Sequence, residues 1–166
     1  MSKSTRALEE LVLGSREVCQ LTGISARQLQ WWDERGLIRP ARWGRKRAFA
    51  AEDVIAALVV SELRRKGLSL QKIARLMRRL HQEIARRKED LLGGASCYLL
   101  TNGEALYVET GAEAVVERLG RQRKPVWLVS LSEQMARLRS YQRGAEQVPA
   151  RGRRKRPGPE QFSLFE

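Results

Sequence analysis

The chain has 166 residues and a formal net charge of +13, so polyanions are its natural partners. Its two cysteines, Cys19 and Cys97, lie far apart, which excludes a disulfide framework and fits a reducing compartment. No apolar run is long enough to span a membrane and the polar N-terminus does not read as a signal peptide, so a soluble, cytoplasmic protein is expected.

Residues 1–11 read as loose, with Leu8, Leu11 and Leu13 leading toward a first helix and Val12 as a weakly signalled strand position. The stretch from Ser15 to Phe49 is more definite. Ser15 can cap a helix carrying Val18, Cys19 and Leu21 on one side, Gly23 suits the left-handed position that ends it, and Ile24 packs the corner. Ser25 then opens a second helix, with Gln28 three residues on as a reciprocal cap, and Gly36 stops it. Two helices meeting across a short glycine-containing turn form the helix-turn-helix that lays its second helix in the DNA major groove. Ile38 to Phe49 reads as a two-stranded wing with its tip at Gly44-Arg45-Lys46. Arg39, Arg42, Arg45, Lys46 and Arg47 crowd this segment, and charges at such density repel one another unless phosphates lie alongside.

Val54, Ile55, Leu58, Val59 and Leu63 recur at helical spacing and predict a third helix over 51–66, ended by Gly67. Ser69 caps a fourth, whose stripe of Leu70, Ile73, Leu76, Met77, Leu80 and Ile84 can continue to Leu91-Leu92 as one long connecting helix. Such a stripe would bury against the reader first and a second subunit later. Beyond Gly93-Gly94 the pattern turns to β: Cys97–Leu100 and Ala105–Val108 flank Asn102-Gly103, a strong hairpin signal. A short helix over 112–119 and a strand Val126–Val129 complete a small ββαβ unit. Alone it would be marginal, so it is expected to pack on the long helix or on its own copy. Residues 132–141 could form a last helix; from 142 the composition turns to Gly, Pro, Arg and Gln and reads as a disordered basic tail. The expected fold class is therefore mainly α with small β. Its parts are a winged helix-turn-helix over 1–80, a helix continuing over 81–94, an α+β unit over 95–141 and a tail over 142–166.

Four motifs in this register, Leu21-Thr22-Gly23-Ile24-Ser25, Leu29-Gln30-Trp31-Trp32, Gly36-Leu37-Ile38-Arg39-Pro40 and Arg47-Ala48-Phe49, resemble the MerR-type winged helix-turn-helix. Leu63-Arg64-Arg65-Lys66-Gly67-Leu68-Ser69-Leu70 is similar to that family's junction between its third and fourth helices, and the resemblance covers about residues 12 to 80. It implies a homodimer that bends or untwists promoter DNA, with RNA polymerase as a further partner. One position departs. Gln30 stands where the family usually has arginine in the recognition helix, so the usual target sequence does not carry over.

From the N-terminal half of that helix, Arg27, Gln28 and Gln30 are the candidates to reach base edges; glutamine can bind adenine and arginine guanine by paired hydrogen bonds. Trp31 and Trp32 are adjacent and must point in different directions, one into the core and the other toward the sugar-phosphate; the family's paired aromatics favour Trp31 near DNA. Arg42, Arg45, Lys46 and Arg47 would grip phosphates or the minor groove, with Trp43 either shielding these contacts or docking on the sheet. Arg16, Ser25 and Arg39 complete the candidate DNA-contacting set. Cys19, Cys97 and His81 make no metal-ligand constellation, so no metal and no cofactor is expected. Nor is an enzyme expected: there is no Ser/His/Asp arrangement, and Glu104, Glu109, Glu113 and Glu117 read as surface.

At the C-terminus Gln161-Phe162-Ser163-Leu164-Phe165 resembles the short peptide by which bacterial replication and repair proteins dock on the sliding clamp. Gln161 would hydrogen-bond the pocket rim while Leu164 and Phe165 fill an apolar groove; Phe162 replaces the usual leucine. Two functions follow as expectations: a sequence-specific transcriptional regulator on double-stranded DNA in the bacterial nucleoid, or a DNA-bound adaptor that recruits the clamp. A winged helix turned protein-binding module is a third, disfavoured by the basic wing.

Overall fold

The computed structural model describes residues 3–147. The expected tail peptide, including Gln161, Leu164 and Phe165, lies outside them. The architecture is mainly α with two small antiparallel sheets, in the order α1 (Lys3–Glu9), β1 (Val12–Leu13), α2 (Ser15–Thr22), α3 (Ala26–Glu34), β2 (Ala41–Trp43) and β3 (Lys46–Ala50). Then come α4 (Ala51–Arg65), α5 (Leu70–Arg86), α6 (Lys88–Gly93), β4 (Cys97–Thr101), β5 (Leu106–Thr110), α7 (Ala112–Gly120), β6 (Trp127–Ser130) and α8 (Leu131–Gln147).

Helix α4 is the central post. Every residue from Val54 to Val60 is buried, because α2, α5 and α8 pack on different sides of it. A helix apolar all round is stable only when surrounded in this way. One sheet has the order β1-β3-β2 and leans on α4 through β3, where Phe49 is fully buried. The other has the order β5-β4-β6; Leu99, Val108 and Val129 are register partners on one of its faces, and all join the same core as α4. The ββαβ unit thus packs on the helices of its own chain.

Besides the tail boundary, where α8 continues to Gln147 past the residue 142 at which a disordered tail is expected, four local expectations are corrected. Residues 3–9 are helical rather than loose: Leu8 is fully buried in the core, and the Gln142 side-chain amide donates to the Ala7 carbonyl at 3.3 Å. Ser15 is the first residue of α2 and not its cap; the capping position is Gly14, whose N–H donates to the Glu17 carboxylate. Asn102-Gly103 does not form a two-residue turn. The last β4–β5 pair is Thr101 with Leu106, and Asn102 Oδ1 accepts from the backbone N–H of Glu104 and Ala105 at 2.9 and 2.8 Å. An asparagine that can fold its side chain onto the following amides supports a longer loop as readily as a tight one.

The fourth correction is the largest. The long helix stops at Arg86, and Arg87 sits at φ −98° and ψ 12° between α5 and α6. Its guanidinium donates to the Thr110 hydroxyl at 3.2 Å and the Val108 carbonyl at 3.4 Å. The bend lets α6 turn back, so Leu91 and Leu92 bury within the chain against elements that include α8. The stripe expected to meet a second subunit is covered intramolecularly.

Candidate nucleic-acid interface

The turn between α2 and α3 is built locally. Gly23 takes φ +74° and its N–H closes on the Cys19 carbonyl at 2.9 Å, a conformation that glycine adopts without a Cβ penalty. The Thr22 hydroxyl donates to the Val18 carbonyl at 2.7 Å, tightening the last turn of α2. Ser25 and Gln28 then cap each other reciprocally: the Gln28 N–H donates to Ser25 Oγ at 3.1 Å and the Ser25 N–H to Gln28 Oε1 at 3.0 Å. Their sequence spacing foretold this pair. It also assigns Gln28 Oε1 to the helix end.

Leu29 and Trp32 face inward, one helical turn apart, and fix the rotation of α3. That rotation turns Arg27, Gln28, Gln30 and Trp31 outward, where with Ser25 and Glu34 they border an open surface concavity. Trp32 is therefore the core aromatic. Trp31 is 39% exposed, with the Arg35 guanidinium 4.9 Å from its ring centroid. The Gln30 side-chain amide donates to Glu34 Oε1 at 2.8 Å, so reaching a base would require it to exchange that partner.

Across from α3 lies the wing. Trp43 pairs with Lys46 in β2–β3, leaving Gly44 and Arg45 as a two-residue tip, and Gly44 takes φ +61° as a tight hairpin demands. Trp43 does not dock on the sheet; it is 77% exposed. Asp33, on the last turn of α3, holds the wing in place: Arg42 pairs with its Oδ2 at 3.1 Å, and Arg47 donates to the same oxygen. Asp33 and Arg47 are 12% and 22% exposed, which shields this pair from water more than an ordinary surface bridge. Arg47, expected to touch phosphate, has its Nε committed to Asp33 and is the less exposed of the two arginines at 22% against 59% for Arg42.

Arg27, Arg39, Arg45 and Lys46 are exposed and make no side-chain hydrogen bond or ion pair among the described residues. Arg16 is exposed on α2, and its charge is felt at Tyr141 on α8. The sequence reading missed Asp33. The one signal for it was an acidic pair, Asp33-Glu34, set between aromatic and basic residues. It missed Arg137 as well, which donates from α8 to the Leu21 carbonyl at 2.7 Å and so braces the end of α2.

Elsewhere the chemistry is quiet. Burial raises the thiol pKa of Cys19, which disfavours the thiolate that a metal or an electrophile would need. His81 is half-buried with Nε2 3.2 Å from the Leu37 carbonyl, fastening α5 to the corner between α3 and the wing. Among the described residues no group of three or more His, Cys, Asp or Glu could hold a metal ion, and no helix is long and apolar enough to cross a membrane.

Residues 14–80 match the model of the MerR HTH family regulatory proteins. Uncharacterized HTH-type transcriptional regulators of Mycobacterium bovis and Mycobacterium tuberculosis are each 33% identical to this chain over 106 residues. The match covers 61% of this chain and 44% of theirs, so it spans less than half the length of these relatives.

Proposed function

We propose, from the premise that residues 14–80 are a MerR-type helix-turn-helix domain, that the chain is a sequence-specific DNA-binding regulator of transcription acting as a homodimer. The observation that carries this reading is the set of unpaired cations: Arg27 on α3 with Arg45 and Lys46 at the wing tip. Cations that the protein leaves unneutralised suit the phosphates of a duplex, whose condensed counterions they would release. In this reading Arg27, and Gln30 after leaving Glu34, approach base edges in the major groove, while Arg39, Arg42, Arg45 and Lys46 grip backbone. Arg47 and Ser25 act by holding the wing and the helix start in position. A dimer would read two half-sites related by a two-fold axis, and RNA polymerase at the promoter would be the partner whose access it controls.

Selection of bound fragments from a random duplex library by the purified full chain tests this. An enriched inverted repeat, bound with an affinity that falls steeply as salt rises, is the expected result. Salt-insensitive binding with no sequence enriched would sink it.

The exposed Trp43 adds a second expectation. A ring at the tip of a basic wing can lie against deoxyribose in the minor groove, contributing apolar contact and no charge. Trp43→Ala should weaken duplex binding by about tenfold, roughly 1.4 kcal/mol, with the salt slope unchanged. A changed slope in titrations at several salt concentrations would count against this placement.

The clamp-recruiting adaptor rests on the Gln161-Phe162-Ser163-Leu164-Phe165 peptide alone. Deleting residues 160–166 separates the two functions: promoter output survives if the chain is a regulator, and is replaced by loss of clamp capture with intact duplex binding if it is an adaptor.

A further inference from the structure

A second concentration of guanidinium groups lies where α5 meets the ββαβ unit. Arg79 and Arg86 on α5, Arg87 at the bend and Arg118 on α7 line an open cleft of about 190 Å³, with Tyr107, Val108 and Glu109 of β5 on its other side. Two carboxylates lie in it. Glu83, nearly buried, takes Arg79 at 2.9 Å and Arg86 at 3.4 Å, both on Oε1. Glu109 takes Nε and Nη2 of Arg118, also on one oxygen, at 2.7 and 2.6 Å. Arg118 is held further over the Tyr107 ring, 4.4 Å from its centroid, and Arg87 by its bonds to Thr110 and Val108 and a 3.5 Å pair with Asp90.

Four guanidiniums against three carboxylates, the lining Glu83 and Glu109 and the Asp90 that pairs with Arg87, leave this cleft with a formal charge of +1. Each guanidinium has five N–H donors, and the carboxylates occupy a minority of them. The acids therefore position the arginines without exhausting them. Arginine forks fixed in this way match the tetrahedral oxygens of a phosphoryl group, and the cleft has room for one or two such groups. We infer that this cleft is a binding site for a phosphorylated small molecule, which would bridge α5 to β5 and α7. Since α5 also carries His81, bonded to the corner beside the wing, a ligand here would sit on the element that ties the reader to the rest of the chain.

Isothermal titration of the full chain with inorganic pyrophosphate, in chloride buffer of matched ionic strength, is the test. Saturable one-to-one binding is expected, weakened at least tenfold by Arg86→Ala and by Arg118→Ala. The Arg86 side chain is 68% exposed, so its truncation leaves the fold intact even should the Arg118 variant be unstable. Binding should persist in the Arg27→Ala/Arg45→Ala/Lys46→Ala variant, and a short duplex should not displace the pyrophosphate. Absence of saturable binding, retention of it in the Arg86 variant, or displacement by duplex would each overturn the inference; the last would assign the cleft to DNA backbone instead. None of these results depends on whether the α3 surface reads a promoter.

Discussion

The Arg27→Ala/Arg45→Ala/Lys46→Ala variant should lose roughly a hundredfold or more of its duplex affinity near physiological salt, and its log K against log salt slope should fall by about 0.9 for each phosphate contact removed. The side chains are exposed and without partners among the described residues, so their removal leaves the core as it is. Thermal unfolding should therefore superimpose on that of the parent. This combination is what distinguishes a contact surface from a structural one. A parent-like slope would mean that the unpaired cations face solvent, and the DNA reading would fall with it.

Asp33→Ala should weaken duplex binding by about thirtyfold, roughly 2 kcal/mol, although it removes a negative charge from a surface meant for a polyanion. Long-range electrostatics alone gives the opposite sign, a gain. The geometry decides for loss, because Asp33 holds both Arg42 and Arg47 and thereby sets the wing relative to α3. Charge-assisted hydrogen bonds of a half-buried group contribute on the order of 1.5–3 kcal/mol, and releasing Arg47 leaves a part-buried cation unpaired. Asp33→Asn, which keeps an acceptor, should recover part of the affinity. Tighter binding by Asp33→Ala in a fluorescence anisotropy titration would show that the latch does not matter.

What the sequence disclosed was what its neighbours decide. Ser25 and Gln28 sit three apart on one turn, Gly23 and Gly44 occupy positions that ask for positive φ, and the apolar period of residues 54–63 needs only the helix itself. These features came through. Asp33 and Arg47 are fourteen positions apart, and no local pattern announces their pairing. The same holds for Arg87: the apolar stripe runs past it without interruption, and what bends the chain there includes a hydroxyl and a carbonyl on a strand more than twenty residues later. Residues 3–9 carry too few apolar positions to declare a helix, yet Leu8 finds a core supplied by other segments. At the candidate site, residue types were legible and their engagements were not. Gln30 and Arg47 have protein partners that only the folded chain reveals.

Because residues 54–60 of α4 are buried under α2, α5 and α8, the helix-turn-helix is not a detachable cassette. A fragment ending after residue 80 would bare the flank of α4 that α8 and β6 cover, and would strip from Leu21 the guanidinium that steadies its carbonyl. Whatever loosens the C-terminal half would, in the proposed reading, slacken the grip on a duplex from a distance.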